Sequence, residues 1–234
     1  MDVYERSLKL HEEKRGKFEV RSLVEVKDRE ALSLAYTPGV AQPCREIAKD
    51  PAAAYRYTRK WNTVAVVSDG SAVLGLGNIG GLAGLPVMEG KSILFREFAG
   101  IDAIPIVLSG QDEDDIVRAV EMIAPSFGGI NLEDICAPKC FSVERRLKEK
   151  LDIPVFHDDQ HGTAIVVSAA LMNALKLADK QLSSAKIVIC GAGSAGIAIA
   201  NLMLECGAED VTLGDRGGLV CEGEPWLTGA QAEM

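Results

Sequence analysis

The sequence has few of the features that mark membrane, secreted or nucleic-acid-binding proteins. Only 5% of its 234 residues are aromatic, and its six cysteines form no CxxC pair. It contains no uninterrupted apolar run long enough to span a bilayer, and the charged N-terminus lacks the apolar core of a signal peptide. The net charge is −9 without a basic block, which argues against a nucleic-acid partner because phosphate binding needs clustered positive charge. We expect a cytoplasmic protein with no membrane partner, whose cysteines are mostly reduced packing residues.

What the sequence does contain is an alternation of strand-like and helical segments. Hydrophobic residues make up 47% of the chain, enough for one large domain or two ordinary ones. Residues 1–60 are expected to be mainly helical, and amphipathic segments with helical spacing separate the later strands. The predicted strands are 63–68, 102–108, 128–132, 153–156, 186–190 and 210–213. This pattern predicts the α/β class, with a parallel sheet whose crossovers are helices.

Acidic side chains follow two of the predicted strands. Glu133 and Asp134 come after GGINL, and Asp158 and Asp159 come after IPVFH. Ligands of α/β proteins collect beyond the carboxyl ends of the strands, so both pairs can converge on one hard cation, which prefers oxygen ligands. The pairs therefore indicate a metal-assisted enzyme.

A glycine-rich turn, GAGSAG, lies between the strand-like AKIVIC and a helical segment. A turn of this kind suits a pyrophosphate at the helix N-terminus, and the acidic residue about twenty positions on, Asp215, suits a ribose hydroxyl. The predicted dinucleotide-binding residues are Gly191, Gly193, Ser194, Ala195, Gly196 and Asp215. Asp215 favours NAD, whereas Arg216 beside it could pair with the 2′-phosphate of NADP.

The same glycine spacing occurs earlier, in VVSDGSAVLGLGNIGG. We expect this segment to be a flexible loop whose backbone N–H groups approach a carboxylate or phosphate, although an ordinary glycine-rich hairpin is the alternative. Of the two motifs, only the one at 191–196 is expected to open a helix. The candidate ligand-binding residues of the first motif are Gly75, Gly77, Asn78 and Gly80.

His157 and His161 have the i, i+4 spacing of a zinc hydrolase, with acidic residues between them. That geometry needs both histidines in one helix, whereas His157 is expected to end a strand and His161 to begin a helix. The segment from His161 is predicted to be one long helix, buried on much of its surface. The predicted domains are residues 1–160 and residues 161–234.

Several long motifs resemble the malic enzymes, in their compact bacterial form. They are SLAYTPGVA, WNTVAVVSDGSAVLGLGNIG, PVMEGKSILF, GGINLEDI and FHDDQHGTA. The resemblance implies an N-terminal catalytic domain followed by a Rossmann-type nucleotide domain. It implies oxidative decarboxylation of L-malate to pyruvate and CO2 with reduction of NAD or NADP, dependence on Mg²⁺ or Mn²⁺, and a homodimer.

The resemblance also implies residue roles. The metal ligands fall on Glu133, Asp134 and Asp159, the general base on Lys91, and the acid that protonates the enolate carbon on Tyr36. We expect the pKa of Lys91 to fall towards the working pH, because the side chain is partly buried near a cation. Asp158 is assigned to orient Lys91 or the metal ligands, with a helix cap as the alternative.

The sequence departs from the malic enzyme pattern in two places. Ala72 stands where the larger animal-type enzymes have a substrate-binding arginine, so the substrate carboxylate is expected on the backbone amides of 75–80. The chain stops nineteen residues after Asp215, whereas a complete nucleotide domain needs roughly 100 more. We therefore expect an incomplete Rossmann domain and weak or no activity. A malolactic enzyme and a non-catalytic fragment are the further alternatives.

Overall fold

The structure is a computed structural model that describes residues 2–232. Residues 1 and 233–234, which are the outer ends of the two predicted domains, lie outside the described residues. The helices are α1 (Val3–Lys14), α2 (Arg29–Ala35), α3 (Ala41–Lys49), α4 (Ala54–Tyr57), α5 (Gly81–Ala99), α6 (Glu113–Ile123), α7 (Lys139–Lys150), α8 (Thr163–Leu177), α9 (Ser194–Glu205) and α10 (Gly229–Ala232). The strands are β1 (Thr63–Ser68), β2 (Asp102–Val107), β3 (Gly129–Leu132), β4 (Val155–His157), β5 (Lys186–Cys190), β6 (Asp210–Asp215) and β7 (Gly218–Leu219).

A four-stranded sheet, in the order β2-β1-β3-β4, organises the first part of the chain. All of its pairings are parallel, and Val67, Leu132 and His157 are neighbours in register. The predicted α/β class and parallel sheet are confirmed. Because β1, β3 and β4 all end at this edge, the residues that follow them are brought together there.

Helices cover both faces of this sheet. On one face, Ile116 of α6 and Leu147 of α7 are fully buried in a cluster with Leu132 of β3. On the other face, Met88 of α5 packs against Val66 of β1. The sheet therefore lies between two helical layers, and its strands are apolar on both faces, as a parallel sheet requires.

A second sheet, in the order β5-β6-β7, follows α8. β5 and β6 are parallel and are joined by α9, whereas β7 pairs antiparallel with β6. The predicted strands at 186–190 and 210–213 are confirmed. The sequence pattern missed β7 and α10, because a two-residue strand and a four-residue helix are too short to show a periodicity.

Two predictions, one about a helix and one about the cysteines, are wrong. The long helix predicted from His161 is itself present, since the π-helical turn Asp158–Gly162 leads directly into α8, but its predicted burial is not. Much of α8 is exposed, since only Ala164, Ser168 and Leu175 are buried. All six cysteines are free, but Cys140 alone among them is buried, so most of them are not packing residues.

The first glycine motif also opens a helix, contrary to the prediction. Gly80 is the residue before α5, with φ of 77°, in the left-handed half of conformational space that glycine tolerates best. Gly81 packs so closely that an added Cβ would lie 2.3 Å from the carbonyl oxygen of Leu108. The motif therefore fixes the start of the helix that carries Lys91.

The N-terminal arm, residues 2–49, is helical as predicted but contributes nothing to the core. α1 begins with a capping box in which Asp2 accepts from the Glu5 N–H. None of the residues of α1, α2 and α3 is buried. Lys17 donates to the carbonyl oxygen of Pro86 at 2.6 Å, which ties the arm to α5. Among residues 2–232, no helix is both long and apolar enough to cross a bilayer.

The buried face of α6 gives a test of the core. Replacing Ile116 with alanine should lower the free energy of unfolding by about 2–5 kcal/mol, because the side chain is fully buried and its removal leaves a cavity. Met122→Ala on the same helix is the control, since Met122 is 73% exposed. Urea denaturation measures both, and an equal effect of the two substitutions would contradict this packing.

Candidate active site

Three carboxylates meet beyond the ends of β3 and β4. Glu133 and Asp134 directly follow β3, and Asp159 lies in the Asp158–Gly162 turn after β4. One oxygen from each lies within 4.8 Å of the others. The N–H of Asp134 donates to Oδ2 of Asp159 at 3.0 Å, which links the two strand ends. The structure thus brings together the side chains predicted as metal ligands.

Burial raises the free-energy cost of ionising these carboxylates when no cation is bound. Glu133 and Asp134 are 5% and 3% exposed. Burial raises the pKa of Glu133 to about 7, against the opposing charge of Lys91. Burial, and then the charge of Asp159, raise the pKa of Asp134 to about 6. Oδ2 of Asp134 is buried without a hydrogen-bond partner. An all-oxygen set with an unpaired oxygen fits a hard divalent cation.

Lys91 projects from α5 onto the same cluster. Its Nζ lies 3.1 Å from Oε1 of Glu133 and 2.8 Å from Oδ2 of Asp158. Burial lowers the pKa of Lys91, but the hydrogen bond to Asp158 and the charge of Glu133 outweigh it, so the pKa is raised. The raised pKa follows from the anionic neighbours; the fall expected beside a cation stays a prediction.

Asp158 is a partner of Lys91 rather than a helix cap. Its Oδ2 accepts from Lys91, and the start of α8 has no side-chain cap. An added Cβ on Gly162 would lie 2.4 Å from Oδ1 of Asp158, so the glycine leaves room for this carboxylate. The helix-cap alternative is therefore wrong.

The structure adds a third acidic strand end, which sequence reasoning missed. Asp69 follows β1, is fully buried and forms an ion pair with Lys139 at the start of α7. Asp69 also accepts from the hydroxyl of Ser71 at 2.6 Å, and Ala72 donates its N–H to the carbonyl oxygen of Asp134 at 3.0 Å. The signal was present, because SDG follows β1 as LED follows β3.

Glu144 of α7 was also missed. This carboxylate is 6% exposed and accepts from Nε2 of His161 at 2.8 Å and from Nζ of Lys148 at 2.9 Å. Burial would raise the pKa of Glu144, but these two donors outweigh it and the pKa is lowered. No sequence pattern marked it, since a glutamate in an amphipathic helix is ordinarily a solvated one.

Tyr36 is the predicted site residue that the structure does not bring to the cluster. It directly follows α2 and is 68% exposed. Within residues 2–232 its side chain forms no hydrogen bond with Lys91 or with the acidic residues. Its catalytic role stays a prediction.

The loop at 75–80 is open on one side, but most of its backbone N–H groups are already used. Those of Leu76 and Gly77 donate to the carbonyl oxygen of Val73, and those of Ile79 and Gly80 donate to that of Gly70. Gly75 and Gly77 have φ of 78° and 74°, and an added Cβ on either would contact nothing within 4 Å. Asn78 is held by paired hydrogen bonds with Gln111 at 3.0 and 2.9 Å. The hairpin alternative is partly correct, since Val73 and Gly77 form an isolated antiparallel bridge. Ligand binding by this loop stays a prediction.

The second glycine motif has the geometry of a phosphate-binding turn. Gly191 directly follows β5 with φ of 115°. An added Cβ on Gly196 would lie 1.8 Å from the carbonyl oxygen of Gly191. At Gly193 the corresponding space is empty, and Ser194 and Ala195 begin α9. The turn can therefore approach a ligand closely at Gly193, while Gly196 permits tight packing of α9 on β5.

Asp215 ends β6, as predicted, but its carboxylate already has two partners. Oδ1 accepts from the N–H of Arg216 at 2.8 Å, and Oδ2 accepts from Nε2 of Gln231 at 3.0 Å. Gln231 of α10 also donates to the carbonyl oxygen of Ala192 at 3.0 Å. A ribose hydroxyl on Asp215 would take the place of Gln231.

The two histidines do not form a zinc site. His157 is fully buried in β4, and neither of its ring nitrogens has a hydrogen-bond partner. His161 lies in the following turn and bonds to Glu144. In the part of the chain that the structure describes, the potential metal-binding group of three or more such side chains is the carboxylate trio. The zinc hydrolase alternative therefore has no geometric support.

Comparison with known proteins agrees with this geometry. The family described as "Malic enzyme, N-terminal domain" matches residues 15–113 and 109–148. The family described as "Malic enzyme, NAD binding domain" matches residues 160–230. Together these matches cover most of the chain.

Individual relatives are also similar. A bifunctional malic/malolactic enzyme of Bacillus subtilis is 56% identical over 96% of the chain and 55% of its own length. An NADP-dependent malic enzyme of Halomonas elongata is 57% identical over 82% of the chain and 46% of its own length. The crystal structure of an NAD-dependent malic enzyme from Thermotoga maritima is 53% identical, with a TM-score of 0.93 over 100% of this chain and 61% of that one.

The chain spans about half the length of the curated relatives that it matches. Over that span, the α/β fold and the parallel sheet agree with the matches in sequence and in structure. The chain belongs to the malic enzyme family.

Proposed function

We propose that this chain carries the metal and acid–base residues of an NAD- or NADP-dependent malic enzyme. The reaction is oxidative decarboxylation of L-malate to pyruvate and CO2. The observation that carries the proposal is the contact of Lys91 with Glu133 and Asp158 beside a trio of carboxylates. The names of the relatives, which act as malic enzymes with NAD or NADP, support the substrate and cofactor classes.

The carboxylate trio would hold Mg²⁺ or Mn²⁺. Glu133, Asp134 and Asp159 supply only oxygen ligands, which suits a hard cation. When bound, the cation would polarise the C2 oxygen of malate and stabilise negative charge on it. Two of these carboxylates, those of Glu133 and Asp134, are buried at the proposed metal site.

Lys91 would take the proton of the malate hydroxyl as hydride leaves C2. Its raised pKa reflects two neighbouring carboxylates, and neutralising their charge would lower it towards the range in which an amine accepts protons. Asp158, at 2.8 Å, would keep the Nζ aimed at the substrate. Tyr36 would protonate the carbon left after decarboxylation. Within the loop at 75–80, a substrate carboxylate would be bound by the N–H groups of Gly75 and Asn78, because those of Leu76, Gly77, Ile79 and Gly80 donate to Val73 and Gly70.

Residues 161–234 are proposed as the nucleotide-binding part and residues 1–160 as the catalytic part. Two separate sheets support this division. The open space at Gly193 and the acidic residue at the end of β6 support binding of a dinucleotide. Asp215 favours NAD, but a relative 57% identical is NADP-dependent, so both cofactors are proposed.

A homodimer is proposed from the exposed N-terminal arm. Apolar side chains on it remain in solvent, among them Tyr4, Leu8 and Leu34, which are 81%, 73% and 72% exposed. A second copy would cover them and could bring Tyr36 to a site. Sedimentation equilibrium showing a monomer at micromolar concentration would exclude this assembly.

The function is tested by supplying L-malate, Mn²⁺ and NAD or NADP to the chain. We expect reduced nicotinamide and pyruvate to form at no more than the weak rate expected from the sequence, and a chelator to abolish both. Lys91→Met and Lys91→Arg should lower the rate about 10²–10⁴-fold, because neither side chain can act as the base. An unchanged rate in both variants would contradict the role of Lys91. Lactate in place of pyruvate would favour a malolactic activity, which the bifunctional relative makes the second candidate.

Metal binding is tested by titrating Mn²⁺ and following its electron paramagnetic resonance signal. Asp159→Asn should abolish tight binding. Asp152→Asn, which changes an exposed acid three residues before the start of β4, should not. The affinity should fall as the pH drops through about 7, the pKa of Glu133, and then about 6, that of Asp134. Protons compete with the cation for ionised carboxylates, so an affinity that rises on acidification would refute the site.

The two glycines of the second motif separate nucleotide binding from folding. Gly193→Ala meets no atom within 4 Å, so it should leave the melting temperature unchanged while weakening NAD binding. Gly196→Ala would place a methyl group 1.8 Å from the carbonyl oxygen of Gly191 and should lower the melting temperature. Calorimetry with and without NAD measures both effects. Unaltered NAD affinity in the Gly193 variant would argue against a dinucleotide at this turn.

A further inference from the structure

Glu144 forms hydrogen bonds along the whole segment that connects β4 to α8. Its Oε1 accepts from the backbone N–H of His157 at 3.2 Å, and its Oε2 accepts from Nε2 of Gln160 at 3.4 Å. Nε2 of His161 lies 2.8 and 3.0 Å from the two oxygens. One buried carboxylate of α7 therefore holds the segment at its start, in its middle and near its end.

The residues between these attachments are the two acids of the site. Asp158 contacts Lys91, and Asp159 accepts from the N–H of Asp134. Neither forms a hydrogen bond with Glu144 within residues 2–232. Glu144 thus fixes the backbone on both sides of two carboxylates that point to a different face.

This segment needs to be held from outside. One oxygen of Asp159 lies within 4.8 Å of oxygens of Glu133 and Asp134, so that carboxylates of like charge face one another across the ends of β3 and β4. The π-helical turn has no side-chain cap at its start. Turns of this kind are short and strained, and they occur at functional sites where packing sustains them. Without a tether, repulsion would move the Asp158–Gly162 turn away from β3.

We propose that Glu144 is a positioning residue, which holds the Asp158–Gly162 turn so that Asp159 reaches the cation and Asp158 reaches Lys91. The proposal rests on the proposed function, because it concerns the same metal and base. Removing a group that orients a metal-binding side chain typically lowers metal affinity or activity 10–100-fold. Glu144 is not one of the three carboxylates that would hold the metal and acts through the turn.

A residue that only stabilised the fold would behave differently. Its loss would lower the melting temperature without changing the Mn²⁺ affinity of the molecules that remain folded. Two measurements therefore separate the roles: Mn²⁺ affinity, and backbone hydrogen exchange of residues 157–163. The second does not require a metal.

Glu144→Gln is the main variant, because it keeps the shape of the side chain but turns one acceptor into a donor facing His161 and Gln160. We expect Mn²⁺ to bind about 10–100-fold more weakly and the amides of 157–163 to exchange faster. Glu149→Gln makes the same charge change at an exposed position of the same helix and should change neither.

His161→Gln is the second variant, in case Glu144→Gln does not fold. The His161 side chain is 38% exposed, so its replacement weakens the same link without leaving an unpaired buried charge. Faster exchange at 157–163 with weaker Mn²⁺ binding supports the proposal. Exchange and affinity equal to those of the unaltered chain, in a folded variant, overturn it. If the unaltered chain binds no Mn²⁺, the proposed function fails, and hydrogen exchange alone decides whether Glu144 holds the turn.

Discussion

Concentrated negative charge at one buried edge of a parallel sheet is the constraint on which the rest of this structure depends. Asp69, Glu133 and Asp134 are almost completely removed from water, and removing ionised carboxylates from water is costly unless they are paired. Lys91 and Lys139 supply positive charge, and Asn131 donates to Glu133. The cost of burying charge is not fully offset by these groups. The remainder appears as the raised pKa values of Glu133 and Asp134.

The helical layers meet this constraint from two sides. α5 carries Lys91 to the cluster, and its start is fixed by the close contact of Gly81 with the chain after β2. α7 carries Lys139 to Asp69 and Glu144 to the Asp158–Gly162 turn. The helices therefore do more than cover apolar strands, since each also contributes a charged group that holds a strand end in place.

The second glycine motif, at 191–196, is organised by space rather than by charge. Gly196 is required because α9 packs against the carbonyl of Gly191, and Gly193 lies beside empty space. Asp215, the acidic residue at the end of β6, is exposed and is held by Gln231. The carboxylates are paired with lysine side chains. The glycine motif instead depends on the absence of side chains at Gly193 and Gly196.

The sequence by itself determined the class of the fold, the strand positions and the convergence of the two acidic pairs. Strand periodicity and the rule that parallel strands end at one edge depend only on the local pattern and on chain direction. Tertiary structure alone decided that Asp158 contacts Lys91 and not the helix end, and that the pKa of Lys91 is raised. It also decided that Glu144 and Lys139 face inward. These outcomes depend on distances between side chains far apart in sequence, and an amphipathic pattern does not specify which charged residue of a helix will be buried against a partner.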